Sequence, residues 1–274
     1  MNFTLYLVCI ANLVQARRCV CPGEPNVQKP LTSTPPTVGK RGLAYNDARL
    51  VNTLRRPCRQ CTWAYNWDWK DNGLSREVEF VPMLWNESTA SQLQENMNVL
   101  RARGLKYILG FNEPDHADQA DMTVARAVDS HIKYLNQDSD VAIGSPAVTS
   151  NEAGSTRDNP KSLDWLRGFL ELCGQRGCKV DFCVVHWYGS TTQADAMISF
   201  LHRAHDACPG KPLWLTEFSA TGSSDEVEIF MMKVLPILDS LQFIQRYAWF
   251  MTAVGNLLQS PDTLSSYGEK YASL

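Results

Sequence analysis

Two glutamates in the 274-residue chain each stand directly after an apolar run. Tyr107-Ile108-Leu109-Gly110-Phe111 leads into Asn112-Glu113-Pro114-Asp115, and Trp214-Leu215-Thr216 leads into Glu217-Phe218. Either carboxylate alone could pair with a nearby arginine or cap a helix. Both together, at the ends of two strand-like runs, suit acid–base and nucleophilic work. Glycosidic cleavage uses such a pair: a neutral carboxylic acid protonates the leaving oxygen while an ionised partner attacks or stabilises the oxocarbenium-like centre. Like charge and uneven burial would separate the two proton affinities. Asn46, Asn66, Trp67, Trp85, Asn112, His186, Tyr188 and Trp249 fall at the ends of the same or similar runs. Amides and flat rings of this kind grip sugars. Trp67, Trp85 and Trp249 are expected to stack on pyranose faces, whereas Trp63, Trp165 and Trp214 read as core.

These residues need a scaffold that gathers strand ends. Short β-rich runs at 42–46, 62–67, 78–85, 107–112, 141–147, 180–188, 212–217 and 244–251 alternate with helix-like stretches at 88–103, 122–136, 162–173, 193–207 and 224–240. Such alternation predicts a parallel sheet. Eight repeats in about 235 residues predict a single-domain (β/α)8 TIM barrel, whose chemistry sits at the carboxyl ends of its strands. The second unit is the weak one, because 67–75 is short and glycine-interrupted. Glu113 and Glu217 close the fourth and seventh strands. His186 and Tyr188, two apart on the sixth, face one side.

Composition narrows the class. With 44% hydrophobic and 20% charged residues the chain has material for a packed core. Twenty-six basic against 29 acidic residues, with no Lys/Arg run, argue against a nucleic-acid surface. No nucleophile elbow, phosphate loop or dinucleotide fingerprint occurs, so no cofactor is expected. His202 and His205, three apart on a predicted helix, lack a third ligand and read as a surface pair; no metal is expected. His116 lies near the cleft without an assigned role.

The first 16 residues read as a secretion signal, a short apolar run followed by Val14-Gln15-Ala16. Residues 17–39, with five prolines between positions 22 and 36, read as an extended Pro/Thr-rich linker. Residues 40–274 form the expected catalytic domain. Lys40-Arg41 is either a processing site or the lead-in to the first strand. No later run spans a bilayer, so the product is expected to be secreted, extracellular or wall-associated, and monomeric. Of nine cysteines, Cys9 lies in the signal. The remaining eight suggest disulfides; a zinc site from Cys58, Cys61, Cys173 and Cys178 is disfavoured by the loose second spacing and an oxidising compartment. The nearest pairs, Cys173 with Cys178 and Cys183 with Cys208, are the expected bridges. Cys58 with Cys61 would close a small, strained ring, and Cys19 and Cys21 complete the set. Asn86-Glu87-Ser88 is a glycosylation sequon beside Trp85.

Seven stretches carry a resemblance to a known family: Lys40-Arg41-Gly42-Leu43-Ala44-Tyr45-Asn46, Trp63-Ala64-Tyr65-Asn66-Trp67, Val81-Pro82-Met83-Leu84-Trp85, Leu109-Gly110-Phe111-Asn112-Glu113-Pro114-Asp115, Ile143-Gly144-Ser145-Pro146-Ala147, Val185-His186-Trp187-Tyr188-Gly189 and Leu215-Thr216-Glu217-Phe218. Asn-Glu and Glu on strands four and seven resemble clan A of the glycoside hydrolases. The wording as a whole resembles family 128, fungal endo-β-1,3-glucanases with an alkali-sensitive-linkage-protein-like core. The resemblance implies Glu113 as acid/base, Glu217 as nucleophile, Asn112 on the sugar 2-hydroxyl, and a β-1,3-glucan polysaccharide or oligosaccharide as partner. A β-1,3-glucan transglycosylase and a non-catalytic wall-glucan binder are the competing readings.

Overall fold

The computed structural model describes residues 39–136 and 140–274. The expected signal, almost all of the expected linker, and Cys19 and Cys21 lie outside the described residues.

The first strand and helix are β1 (Arg41–Tyr45) and α1 (Ala48–Arg55). After β2 (Trp63–Tyr65) the chain reaches β3 (Glu79–Phe80) without an intervening helix. The predicted helix 88–103 is two short pieces, α2 (Ala90–Glu95) and α3 (Met97–Ala102). At the break the Asn96 amide turns back onto the Gln92 carbonyl at 2.7 Å, the local competition with helix that asparagine favours. Then follow β4 (Tyr107–Ile108), α4 (Val124–Tyr134), β5 (Ala142–Val148), α5 (Ser162–Arg176), β6 (Phe182–Ser190), α6 (Ala194–Ala207), β7 (Leu213–Thr221), α7 (Ser224–Ser240) and β8 (Ile244–Thr252). A small β9 (Leu258–Ser260)–β10 (Thr263–Leu264) hairpin and α8 (Ser266–Ser273) complete the chain. At the start of α7, Ser223 and Glu226 form a reciprocal capping box.

The eight main strands form one parallel sheet in the order β3-β2-β1-β8-β7-β6-β5-β4. This is an α/β fold of the expected kind, but the regular ladders do not run round a full circle. β2 meets β3 only at Trp63–Glu79 and Ala64–Phe80, whereas β6 and β7 stay paired from Cys183–Leu213 to Ser190–Thr221. Irregular bonds join the two outer edges: Leu109 N to Pro82 O at 2.9 Å, Leu84 N to Leu109 O at 3.0 Å and Asn112 N to Trp85 O at 2.9 Å.

Strand alternation sorts the core into two layers. Ala44, Trp63, Tyr65, Phe182, Val184, Trp214 and Ala248 pack together on one face of the sheet. Leu43, Ala64, Cys183, Val185, Leu215, Tyr247 and Trp249 pack with helix residues on the other. Trp165 is buried between α4 and α5, its indole nitrogen donating to the Met122 carbonyl. Among the described residues there are three disulfides: Cys58–Cys61, Cys173–Cys178 and Cys183–Cys208. The last ties β6 to the end of α6. His202 and His205 lie against the Phe243 ring. Among the described residues no helix is long and apolar enough to cross a membrane.

Candidate active site

Glu113 and Glu217 come together at the carboxyl ends of the strands. Glu113 follows β4 with φ +44, a left-handed backbone that points its side chain inward, and its N–H donates to the Ala147 carbonyl at 2.8 Å. β4 and β5 approach so closely here that a Cβ on Gly110 would lie 2.8 Å from the backbone of Ser145 and Pro146. Only glycine fits. Glu217 lies within β7 beside a register shift, where Val185 pairs Leu215 but His186 pairs Glu217. Bulges of this kind re-aim side chains at sites.

His186 bridges the two carboxylates. It is fully buried, with Nδ1 2.8 Å from Glu113 Oε1 and Nε2 2.9 Å from Thr216 Oγ1 and 3.4 Å from Glu217 Oε1. One ligating atom from each of Glu113, His186 and Glu217 lies within 4.8 Å of the others, the one such cluster among the described residues. Tyr188 donates its hydroxyl to Glu217 Oε2, and the Trp67 indole N–H donates to Glu217 Oε1 at 2.7 Å. Burial pushes the Glu113 carboxyl up, but the His186 hydrogen bond and charge outweigh it and hold the group below its ordinary value. Burial likewise opposes a charge on His186, yet Glu217 and Glu113 together raise it. Burial beside Glu217 keeps the Tyr188 hydroxyl protonated, its titration pushed far up. Both directions place the resting proton of this pair on His186, 2.8 Å from an ionised Glu113.

A cavity of about 540 Å³ opens over this cluster, lined by Asn46, Trp67, Trp85, Asn112, Glu113, Gln119, Tyr188, Glu217, Phe250 and Met251. A larger hollow of about 630 Å³ lies beside the starts of α4 and α5, among Asp121, Arg157, Asp158 and Trp165. It contains neither glutamate, so the smaller cavity is the candidate site.

Several residues singled out in the sequence therefore reach the cavity: Glu113, Glu217, Asn46, Trp67, Trp85, Asn112 and Tyr188. Three do not. Trp249 is 2% exposed and packs on Phe218 and Phe230, its N–H bonded to Asn256. The cause is alternation: Ala248 faces the inner layer, so Trp249 faces the helices and Phe250 takes the cavity wall. Asn66 is 7% exposed and spends both ends of its amide on its own turn, Nδ2 on the Lys70 carbonyl and Oδ1 on the Asp68 N–H. His186 sits beneath the carboxylates and orients them without lining the cavity. Conversely, Gln119, Phe250 and Met251 escaped the sequence reading. Gln119 is a loop residue that accepts from Asn112 Nδ2 at 3.0 Å, leaving Asn112 Oδ1 buried without a partner. No local pattern announces it, whereas Phe250 follows from the inward Arg246–Ala248 alternation.

An α/β scaffold that sets two carboxylates over a sugar-sized cavity at its strand ends defines a glycoside hydrolase. Residues 42–271 match the glycosyl hydrolase catalytic core family. Alkali-sensitive linkage protein 1 of Schizosaccharomyces pombe is 33% identical over 265 residues, covering 86% of this chain. The match takes in 44% of that protein, so the chain spans less than half the length of this curated relative. A curdlan-specific exo-β-1,3-glucanase of Blastomyces gilchristii, solved with glucose, is 34% identical with a TM-score of 0.79, over 87% of this chain and 100% of that one. A laminaritriose-bound endo-β-1,3-glucanase of Amycolatopsis mediterranei is 29% identical with a TM-score of 0.73, over 85% and 98%. The endo-β-1,3-glucanase of Sorangium cellulosum is also 29% identical, with a TM-score of 0.71 over the same shares. All three are family 128 enzymes, and this chain belongs to glycoside hydrolase family 128.

Proposed function

We propose that the chain is a secreted, retaining endo-β-1,3-glucanase acting by double displacement, with Glu113 as acid/base and Glu217 as nucleophile. The observation that carries the mechanism is the approach of the two carboxylates, one oxygen of each lying within 4.8 Å of the other. Retaining enzymes hold their carboxyls at about 5–5.5 Å, while inverting enzymes leave about 6.5–9.5 Å for a water. The substrate assignment rests on the three solved relatives, each a β-1,3-glucanase.

In the first step a Glu217 oxygen attacks C1, and the C1–O bond breaks with its electron pair going to the leaving oxygen. That oxygen takes its proton from Glu113. The proton that Glu113 gives reaches it from His186 Nδ1 across their 2.8 Å bond, and the proton taken from water in the second step restores that pair. In the second step Glu113 takes a proton from water as the water oxygen attacks C1, and the electron pair returns to Glu217. Trp85 and Phe250 offer apolar surface to the sugar, and the unpartnered Asn112 Oδ1 suits a donated sugar hydroxyl.

We further read the sheet as a closed (β/α)8 barrel, supported by the irregular bonds between its β3 and β4 edges. Residues 1–16 are read as a signal, 17–39 as a linker and 40–274 as the catalytic domain. The three disulfides support an extracellular setting. Incubation with laminarihexaose tests the reading. Mixed shorter oligosaccharides are expected; glucose alone would mark exo action, longer products transglycosylation, and no product a binder.

A further inference from the structure

We propose that Trp67 is a positioning residue for the nucleophile: its indole N–H fixes one oxygen of Glu217 and stabilises the negative charge there. This rests on the reading of Glu217 as nucleophile.

Indole carries one donor and no acceptor, so its hydrogen bond requires an acceptor oxygen on Glu217. A donor to an ionised carboxylate makes a charge-assisted bond, about twice as strong as a neutral one. The distance of 2.7 Å makes Trp67 the nearest donor to Oε1. The other donors are committed elsewhere. Tyr188 serves Oε2, and His186 Nε2 stands 3.4 Å from Oε1 while bonding Thr216 at 2.9 Å.

The backbone shows that this placement is imposed. Trp67 has φ +60, a left-handed conformation rare for a bulky side chain. Such conformations persist only where the surroundings over-determine them, and they gather at functional sites. Here the surroundings are the Asn66 amide, clamped to Lys70 and Asp68, and Asp68 itself, whose carbonyl accepts the Met83 N–H at 3.0 Å and whose side chain accepts the Trp69 N–H at 2.7 Å. The ring rests on Tyr65 at 5.0 Å and edge-on to Phe250 at 5.6 Å. A platform for sugar stacking needs none of this aim at a carboxylate. In the double displacement, Glu217 gives an electron pair to C1 and takes it back when water attacks. A fixed donor orients the attacking group and stabilises the departing carboxylate, so both steps depend on it.

Trp67→Phe keeps a ring on Tyr65 and Phe250 and deletes the donor. The probe is a 2-deoxy-2-fluoro-β-laminaribioside with a dinitrophenolate leaving group, which needs no acid catalyst and reports the nucleophile alone. The label is expected on Glu217 in both forms, forming about 10- to 100-fold more slowly in the variant, the loss that one hydrogen bond to a charged group predicts. Binding of laminaritriose is expected to change by less than about threefold, since a ground-state contact is not what is lost. An unchanged labelling rate with weakened laminaritriose binding would make Trp67 a platform and overturn the proposal. A wild-type chain labelled elsewhere, or not at all, overturns the nucleophile assignment instead. Should Trp67→Phe not fold, the indole N–H signal of Trp67 in the otherwise native chain decides: it should move upfield in Glu217→Gln, and an unmoved signal overturns the bond.

Discussion

The two ends of the sheet bury charge among aromatic rings and do opposite things with it. At the amino ends of the strands, the Arg246 guanidinium lies 4.5 Å from the Tyr107 ring centre, 4.6 Å from Trp214 and 5.3 Å from Trp63, and bonds Glu79 at 2.8 Å. One cation meets one carboxylate, and three rings cover the pair. At the carboxyl ends two carboxylates share one histidine beneath an open cavity. The first arrangement is electrically complete. The second carries an excess negative charge that only a proton or a developing positive centre can balance. Stability and reactivity here come from the same ingredients, separated by stoichiometry.

The largest test of that division is Glu217→Gln. It removes charge from the unbalanced end, so turnover should vanish while the melting temperature holds or rises; a folded variant with residual turnover within tenfold of wild type would break the comparison. Next comes Arg246→Met, which leaves the half-buried Glu79 without its partner. It should cost about 3–5 kcal/mol in chemical denaturation, and adding Glu79→Met should recover much of the loss. Activity per folded molecule should not change in either variant. A matched pair of tryptophans then separates wall from core. Trp85→Ala should raise KM with kcat nearly kept, because uniform binding is removed. Trp249→Ala should leave KM alone and cost about 3–5 kcal/mol of stability.

The last test concerns pH. Burial pushes His131 down to about 4, and its Nδ1 has no partner while Nε2 donates to the Lys179 carbonyl at 2.7 Å. With a folded value below the unfolded one, the unfolded chain binds more protons between about pH 6.5 and 4. Stability is therefore full above about 6.5 and falls as the pH drops toward 4. His131→Leu should flatten that fall, as read by thermal melts across this range, without moving the pH profile of activity.

What was legible in the sequence divides along similar lines. Strands were readable because β-rich runs ending in Asn, Glu or Trp recur, and Glu113 and Glu217 stood out because charge rarely follows a buried run. Trp249 was misplaced although the cue existed: Arg246 and Ala248 set the inward phase of β8 and put Phe250 next. Asn66 was misread for another reason, since an asparagine after a strand serves a turn as readily as a ligand. Gln119 was invisible, because its bond to Asn112 joins a loop to a strand end through space alone. Helix 88–103 failed at Asn96, where a side chain competes for the carbonyl that a helix would use.

The helix-free flank between β2 and β3 has a consequence for how the molecule breathes. Its ladder holds two residue pairs, Trp63–Glu79 and Ala64–Phe80, while Cys183–Cys208 fastens the strand that carries His186 and Tyr188. Amide hydrogens near residues 63–85 should therefore exchange with solvent well before those of β6 and β7. Trp67 and Trp85 ride on the fast side and Glu217 on the slow one. A glucan bridging them would slow the fast side most, so substrate occupancy could be timed from the exchange of that flank alone.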